Sequence, residues 1–215
     1  MWLFLPVFFF ILCLNVYSVA YRSVNLNYVT KPLLLVSLII YYLVSPGTPV
    51  ISVMLALLAG LAGDIFLMLP DSNKYFIPGL LSFLIGHLFF IFSFVRISAE
   101  AGETGIWFYM LSAIFLAFGI FINVKLIPRA GKLGIFIILY VLTITSMGIS
   151  SLLSLKLATN ASFLLPIIGA LLFILSDTLL SFAKFRVIKD KSGMVMFTYG
   201  LAQLFLTLWF AFCKI

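Results

Sequence analysis

The sequence predicts an all-α fold: a polytopic membrane bundle of eight transmembrane helices, with residues 1–215 forming one domain. Three observations carry this. Hydrophobic residues make up 65% of the chain and charged residues 9%, against roughly half and a quarter in soluble domains. Mean hydropathy is +1.30. The apolar residues also fall into long runs, and roughly 20 of them in a helix cross a hydrocarbon core of about 30 Å. A soluble surface cannot be built from so few charges, so the bilayer is the solvent this chain requires.

Eight runs qualify, at 2–20, 31–45, 50–69, 76–96, 106–124, 133–155, 162–183 and 194–212. In the first, Ser18-Val19-Ala20 has the small-x-small form of a signal cleavage site. No Lys or Arg precedes the run, however, so the basic flank of a signal peptide is missing and the segment reads as a span. The second begins at Lys31-Pro32, where proline suits a first helical turn because its missing N–H has no partner there anyway. Ser45-Pro46-Gly47 separates the second and third spans, and Pro70-Asp71-Ser72-Asn73 the third and fourth. Ala101-Gly102-Glu103 follows the fourth, and Asp190-Lys191-Ser192-Gly193 precedes the eighth; all four are turn-forming sequences. No connection is long enough for a separate soluble domain.

The net charge of +7 is not a nucleic-acid signature, because the basic residues sit in short connections without a polar, aromatic-interleaved face. They orient the protein instead. Arg22, Lys31, Lys74, Lys125, Arg129, Lys132, Lys184, Arg186, Lys189 and Lys191 follow odd-numbered spans, and only Arg96, Lys156 and Lys214 lie on the other side. The positive-inside rule then puts the odd-numbered connections in the cytoplasm and both termini outside. Cys13 and Cys213 are the only cysteines and both lie in apolar runs, which makes neither a disulfide framework nor a metal knuckle.

A weak internal repeat points to two parallel four-helix halves. Gly63-Asp64-Ile65-Phe66-Leu67 in span three matches Ser176-Asp177-Thr178-Leu179-Leu180 in span seven, each followed one span later by a polar residue, His87 or Gln203. Parallel repeats of this kind occur in transporters among other folds.

Of six acidic residues, Asp71, Glu100, Glu103 and Asp190 fall in connections as solvated charges. Asp64 and Asp177 lie about six residues, or roughly 9 Å, inside apolar helices. An ionised Asp at such depth costs on the order of 2.5–3.5 kcal/mol even on lenient insertion scales, which favours a functional role over structural hydrogen bonding. His87, the only histidine, sits near the middle of span four and must also find partners there. Three ligands at local spacing such as His-x-x-x-His are absent, so neither a metal nor any other cofactor is expected. With the orientation above, Lys31, Tyr140, Tyr199 and Gln203 fall in the same half of the membrane as Asp64, His87 and Asp177. Polar residues from five or six helices at one depth predict a single pocket. Gly60, Gly63, Gly86, Gly169 and Gly200 would let helices approach around it.

Lys31-Pro32, Gly63-Asp64, Ser82-Phe83-Leu84-Ile85-Gly86-His87, Gly169-Ala170 with Phe173 and Ser176-Asp177, and Tyr199 with Ala202-Gln203 occur in order from span two to span eight. In this the sequence resembles the lysoplasmalogenase (YhhN-like) membrane family; span one matches no motif. The resemblance implies a hydrolase that cleaves the vinyl-ether bond of lysoplasmalogens to a fatty aldehyde and a glycerophospho-alcohol. It also implies a lysophospholipid substrate drawn from membrane lipid, and a bacterial-type plasma (inner) membrane with the active site toward the cytoplasm. The residues suit that chemistry. One buried Asp, protonated because burial disfavours its charge, would protonate the alkenyl carbon, and the other, ionised beside His87 or Lys31, would stabilise the oxocarbenium ion and activate water. Glycosidases meet a similar cation with two carboxylates. Asp64, Asp177 and His87 are thus the catalytic candidates, and Lys31, Tyr140, Ser176, Tyr199 and Gln203 the substrate-binding ones.

Two other classes fit part of the pattern. A proton- or cation-coupled transporter accounts for intramembrane Asp and His, but needs a path to both sides. An intramembrane hydrolase of another lipid or of a peptide also pairs two Asp. Leu61-Ala62-Gly63-Asp64 is distantly similar to the Gly-x-Gly-Asp of aspartyl proteases, although the first Gly is missing, Ser176 replaces the Tyr of Tyr-Asp, and no Pro-Ala-Leu element is present.

Overall fold

A computed structural model describes residues 4–46, 48–70, 72–99, 101–157 and 161–213. The sequence expectations for Gly47, Asp71, Glu100, Lys214 and the first residues of span one lie outside these. Among the described residues every regular element is helical, with no strand: α1 (Phe4–Ala20), α2 (Val24–Val44), α3 (Ile51–Met68), α4 (Ser72–Ile97), α5 (Ile106–Ala130), α6 (Gly134–Ser151), α7 (Leu164–Lys184) and α8 (Ser192–Phe212). Short 3₁₀ turns occupy Gly131–Leu133, Leu152–Leu157 and Ala161–Phe163.

Among the described residues six helical stretches, not the eight expected, are long and apolar enough to cross a membrane. The difference has two causes. The described part of α1 has only 17 residues. The apolar sequence from α5 through α6 is one uninterrupted helical run of 52 residues, Ile106–Leu157. That run nevertheless folds back on itself, because α5 and α6 pack together. The reversal sits at Gly131, whose φ of +53° is open to glycine at no steric cost.

The second correction concerns α2, which starts at Val24 rather than Lys31, placing Pro32 inside the helix. The stretch from Val24 to Thr30 looks too polar for a span, but the Asn27 side-chain oxygen and the Thr30 hydroxyl are paired within the bundle. Asn15 of α1, fully buried, donates through Nδ2 to Asn27 Oδ1 at 3.0 Å and to Thr30 Oγ1 at 2.9 Å. Amides satisfied between two helices do not oppose burial.

The closest helix pairs are α3 with α4 and α7 with α8. α8 is the centre of the bundle: 72% of its apolar window is buried, against 22–39% for the other crossing stretches. α5 is the periphery, exposing Ile106, Trp107, Ile114, Ile120 and Val124. Close approach follows from small residues at each crossing. A Cβ on Gly86 would lie 3.2 Å from the Ala56 carbonyl oxygen, and one on Gly169 3.2 Å from that of Ala202. Away from the basic connections, Ser52 and Ser93 hydroxyls meet at 2.6 Å between α3 and α4.

α8 is anchored where it begins. Asp190, expected only as a solvated charge, accepts hydrogen bonds from the Ser192 hydroxyl and from the Ser192 N–H, the latter at 2.9 Å. The Ser192 hydroxyl, and less strongly its N–H and the Arg22 charge, hold this carboxyl below its usual range. A depressed value means that the contribution is fully present above the ordinary carboxylate range and is lost as pH falls from there through the depressed value. Cys13 and Cys213 are free thiols.

Replacing Gly86 by leucine forces α4 away from the α3 backbone, for an expected loss of about 1–3 kcal/mol and a lower melting temperature in detergent. Gly134 has helical backbone angles and open space around its Cβ position, so Gly134→Ala should leave the melting temperature unchanged or raise it slightly.

Candidate active site

Asp64 lies one turn before the end of α3 and Asp177 two turns before the end of α7. Both are buried. Each carboxylate is held by one residue from the helix before its own and one from the helix after the other Asp. Lys31 of α2 brings Nζ to 3.3 Å from Asp64 Oδ1, and Tyr199 of α8 donates its hydroxyl to Asp64 Oδ2 at 2.8 Å. Tyr140 of α6 donates a short hydrogen bond to Asp177 Oδ2, and His87 of α4 places Nε2 at 3.6 Å from the same oxygen.

A second layer supports these groups. Gln203, one turn beyond Tyr199 on α8, donates its amide Nε2 to the Tyr199 oxygen at 3.4 Å. His87 Nε2 is 3.3 Å from the Tyr140 oxygen. The single hydroxyl proton of Tyr140 is used on Asp177, so its oxygen accepts from His87, which assigns the ring proton to Nε2. His87 Nδ1 and Gln203 Oε1 are buried without a hydrogen-bond partner among the described residues. Phe173 stands edge-on to both His87 and Tyr199, at ring separations of 4.6 and 5.5 Å, and separates the two clusters.

The carboxylates share a cavity of about 290 Å³. Lys31, Asp64, Ser176, Asp177 and Tyr199 line it; behind them Tyr140 is bonded to Asp177, Gln203 to Tyr199, and His87 to Tyr140. Ser176 also has a structural bond, donating its hydroxyl to the Val195 carbonyl of α8 at 3.0 Å. Apolar walls come from Leu67, Phe76, Phe83, Leu180 and Val195. The cavity lies where α1, α3 and α7 end and α2, α4 and α8 begin, on the side of the basic connections at Arg22, Arg186, Lys189 and Lys191.

Lys31 is thus two turns inside α2 and ion-paired, rather than at the helix start. Asn27, Lys184 and Ser192 also line the cavity and escaped the sequence reading. Asn27 lay in a stretch read as a connection, and Lys184 was counted only as an orienting charge. Its spacing of seven residues from Asp177, two turns on one face, was the available signal. Among the described residues no three His, Cys, Asp or Glu side chains group as a metal site would require.

If the Lys31–Asp64 pair is an integral support, removing only the cation leaves a buried acid unpaired. Lys31→Met should then cost about 3 kcal/mol of stability, read as a lower melting temperature in detergent, and adding Asp64→Asn should restore most of it. Equal melting of Lys31→Met and the native protein would refute this.

The YhhN family model matches residues 26–210, from the first turn of α2 to the last turn of α8, and so takes in every residue of the two carboxylate clusters. No curated protein matches the chain, and no solved structure does. With the match covering most of its length, this chain belongs to the YhhN family.

Proposed function

We propose that the protein is a membrane-embedded lysoplasmalogenase, hydrolysing the vinyl-ether bond of single-chain alkenyl glycerophospholipids. The observation that carries this reading is the pair of buried carboxylates facing one cavity in unlike surroundings, one beside an ammonium and the other beside a phenol and an imidazole. Family membership supports the class of reaction. The mostly apolar cavity suits an ether, and its size, near the lower end for small-molecule sites, suits a glycerophosphate with the first carbons of a chain. The rest of the chain can remain in lipid.

In this reading the helices form a polytopic bundle, and the basic connections place the cavity toward the cytoplasm. Asp64, paired with Lys31, is the anion. Asp177 has no Lys or Arg partner among the described residues and is the acid. Tyr140 donates to its Oδ2, leaving Oδ1 to carry the proton.

Asp177 protonates the alkenyl carbon remote from oxygen. The double-bond electrons form the new C–H bond, and the carbon attached to oxygen becomes an oxocarbenium ion beside the Asp64 carboxylate. Water adds to that carbon and passes one proton to Asp64, giving a hemiacetal. Asp64 then returns that proton to the glycerol oxygen as the C–O bond to glycerol breaks, and the hemiacetal hydroxyl proton passes to Asp177, which restores both carboxyl groups. The products are an aldehyde and a glycerophospho-alcohol, so one water is consumed and no electrons are exchanged. Tyr199 and Tyr140 hold the carboxylates in position, with Gln203 and His87 behind them.

Purified protein incubated with a lysoplasmalogen should release fatty aldehyde. Asp177→Asn and Asp64→Asn should each lower the rate by about 10²–10⁴-fold, the usual worth of a positioned acid or base, while melting as folded proteins. Substantial aldehyde release by both variants would sink the mechanism. No release by well-folded native protein, together with unaltered substrate crossing proteoliposomes, would replace hydrolysis by transport.

A further inference from the structure

Lys184 lies seven residues beyond Asp177 on α7, about 10.5 Å further along the helix axis at 1.5 Å per residue. Seven residues make two turns, so both side chains lie on one face, and Asp177, Leu180 and Lys184 all line the cavity. The Lys184 ammonium sits 5.0 Å from the centre of the Phe76 ring. Phe76 is itself buried, so this cation–π contact holds the amine at the cavity wall.

Two lysines line the cavity, and their charges are used differently. Lys31 is committed to Asp64. Among the described residues Lys184 has no carboxylate partner. A half-buried ammonium at a cavity wall, without a counter-charge from its own chain, attracts an anion from outside. Asn27, lining the same cavity, has its side-chain oxygen occupied by Asn15, while its amide N–H groups have no partner among the described residues.

We infer that Lys184 and Asn27 form an anion subsite for the phosphodiester of a single-chain glycerophospholipid whose ether bond lies at Asp64 and Asp177. The assignment of the ether rests on the hydrolase reading; the phosphodiester site rests on the unpaired cation. The spacing fits. An extended glycerol backbone places phosphorus roughly 6–7 Å from the ether oxygen, given bonds of ~1.5 Å. A helical side chain leans toward the N-terminus of its helix, which brings the Lys184 amine back toward Asp177 and shortens the axial gap. A flexible four-carbon stem covers the remainder. Lys184 would then set specificity for head group and position the substrate without touching the reacting carbons.

The test is ligand binding to the purified full chain in a phosphate-free maltoside detergent. A saturated 1-alkyl-glycerophosphocholine cannot be cleaved by vinyl-ether chemistry, and the matching 1-alkylglycerol lacks only the phosphodiester head group. Native protein should prefer the phospholipid, Lys184→Gln should lose about tenfold of that affinity, as expected for one charge-assisted hydrogen bond, and Lys184→Arg should keep it. Binding of the alkylglycerol should be the same in all three proteins, which also shows that the variants are folded. Equal affinity of native protein for the two lipids, or an unchanged preference in Lys184→Gln, overturns the subsite. Displacement of the phospholipid by inorganic phosphate at equal concentration would assign the site to free phosphate and overturn the lipid assignment. Lys184-dependent binding without aldehyde release from a lysoplasmalogen refutes the hydrolase reading alone. Aldehyde release with unchanged KM in Lys184→Gln refutes the subsite alone.

Discussion

A carboxylate inside an apolar bundle has to be partnered from its own protein, and here two carboxylates are partnered reciprocally. Asp64 draws Lys31 and Tyr199 to α3 from α2 and α8, and Asp177 draws Tyr140 and His87 to α7 from α6 and α4. Six helices are tied by these contacts. The links between α3 and α8 and between α4 and α7 also hold the front and back halves of the chain together. α1 and α5 supply no partner to either Asp. α1 is instead fastened through Asn15 to α2, and α5 packs mainly on α6. A polar contact in a low-dielectric interior is costly to leave half made, so the placement of the other helices is constrained by the need to complete both clusters.

Close helix packing fixes the depth of these clusters. The crossing of α3 and α4 is tightest where Gly86 meets the Ala56 carbonyl, and that of α7 and α8 where Gly169 meets the Ala202 carbonyl. Ala56 and Gly169 each precede an Asp by eight residues, slightly over two turns, so both carboxylates project at a similar distance beyond a tight crossing. On one side of that level the helix ends diverge into the cavity. On the other side Phe90, Phe94, Trp209 and Phe210 stack between α4 and α8, with ring separations of 4.9–5.9 Å.

The importance of Asp64 and Asp177 was legible because acids are scarce in the sequence, and a helix of known rise places them at comparable depth. Helical periodicity has no information about which helices touch, so the ion pair of Lys31 with Asp64 and the bond of Tyr140 to Asp177 could not be read from it. The start of α2 was missed for a related reason. Hydropathy scores Asn27 and Thr30 as if they faced water, whereas Asn15 donates to an oxygen of each from a neighbouring helix. The number of crossing stretches was misjudged because a sharp reversal at Gly131 leaves the apolar helical sequence unbroken from Ile106 to Leu157. Lys184 shows the opposite failure. Its charge is plain in the sequence, but the positive-inside rule accounts for it fully, and only the cavity reveals a second use.

The aromatic layer beyond the carboxylates bears on the choice between chemistry and transport. Alternating access needs a layer that can part, with polar groups on both sides of the bound solute. In this protein the aromatic layer beyond His87 contains Phe90, Phe94 and Phe210, all at most 2% exposed, and opening it would expose their faces to water at a cost of about 25 cal/mol for each Å². A hydrolase has no such requirement. Its water, its aldehyde and its phosphorylated product can all use the basic end, where the apolar cavity walls meet the charged connections, while the chain of the lipid stays in the membrane from which it came. The same closed layer that obstructs a path for solutes keeps bulk water behind the carboxylates low, so the Asp64 carboxylate, held in place by Lys31 and Tyr199, is weakly screened from any cation formed in front of it.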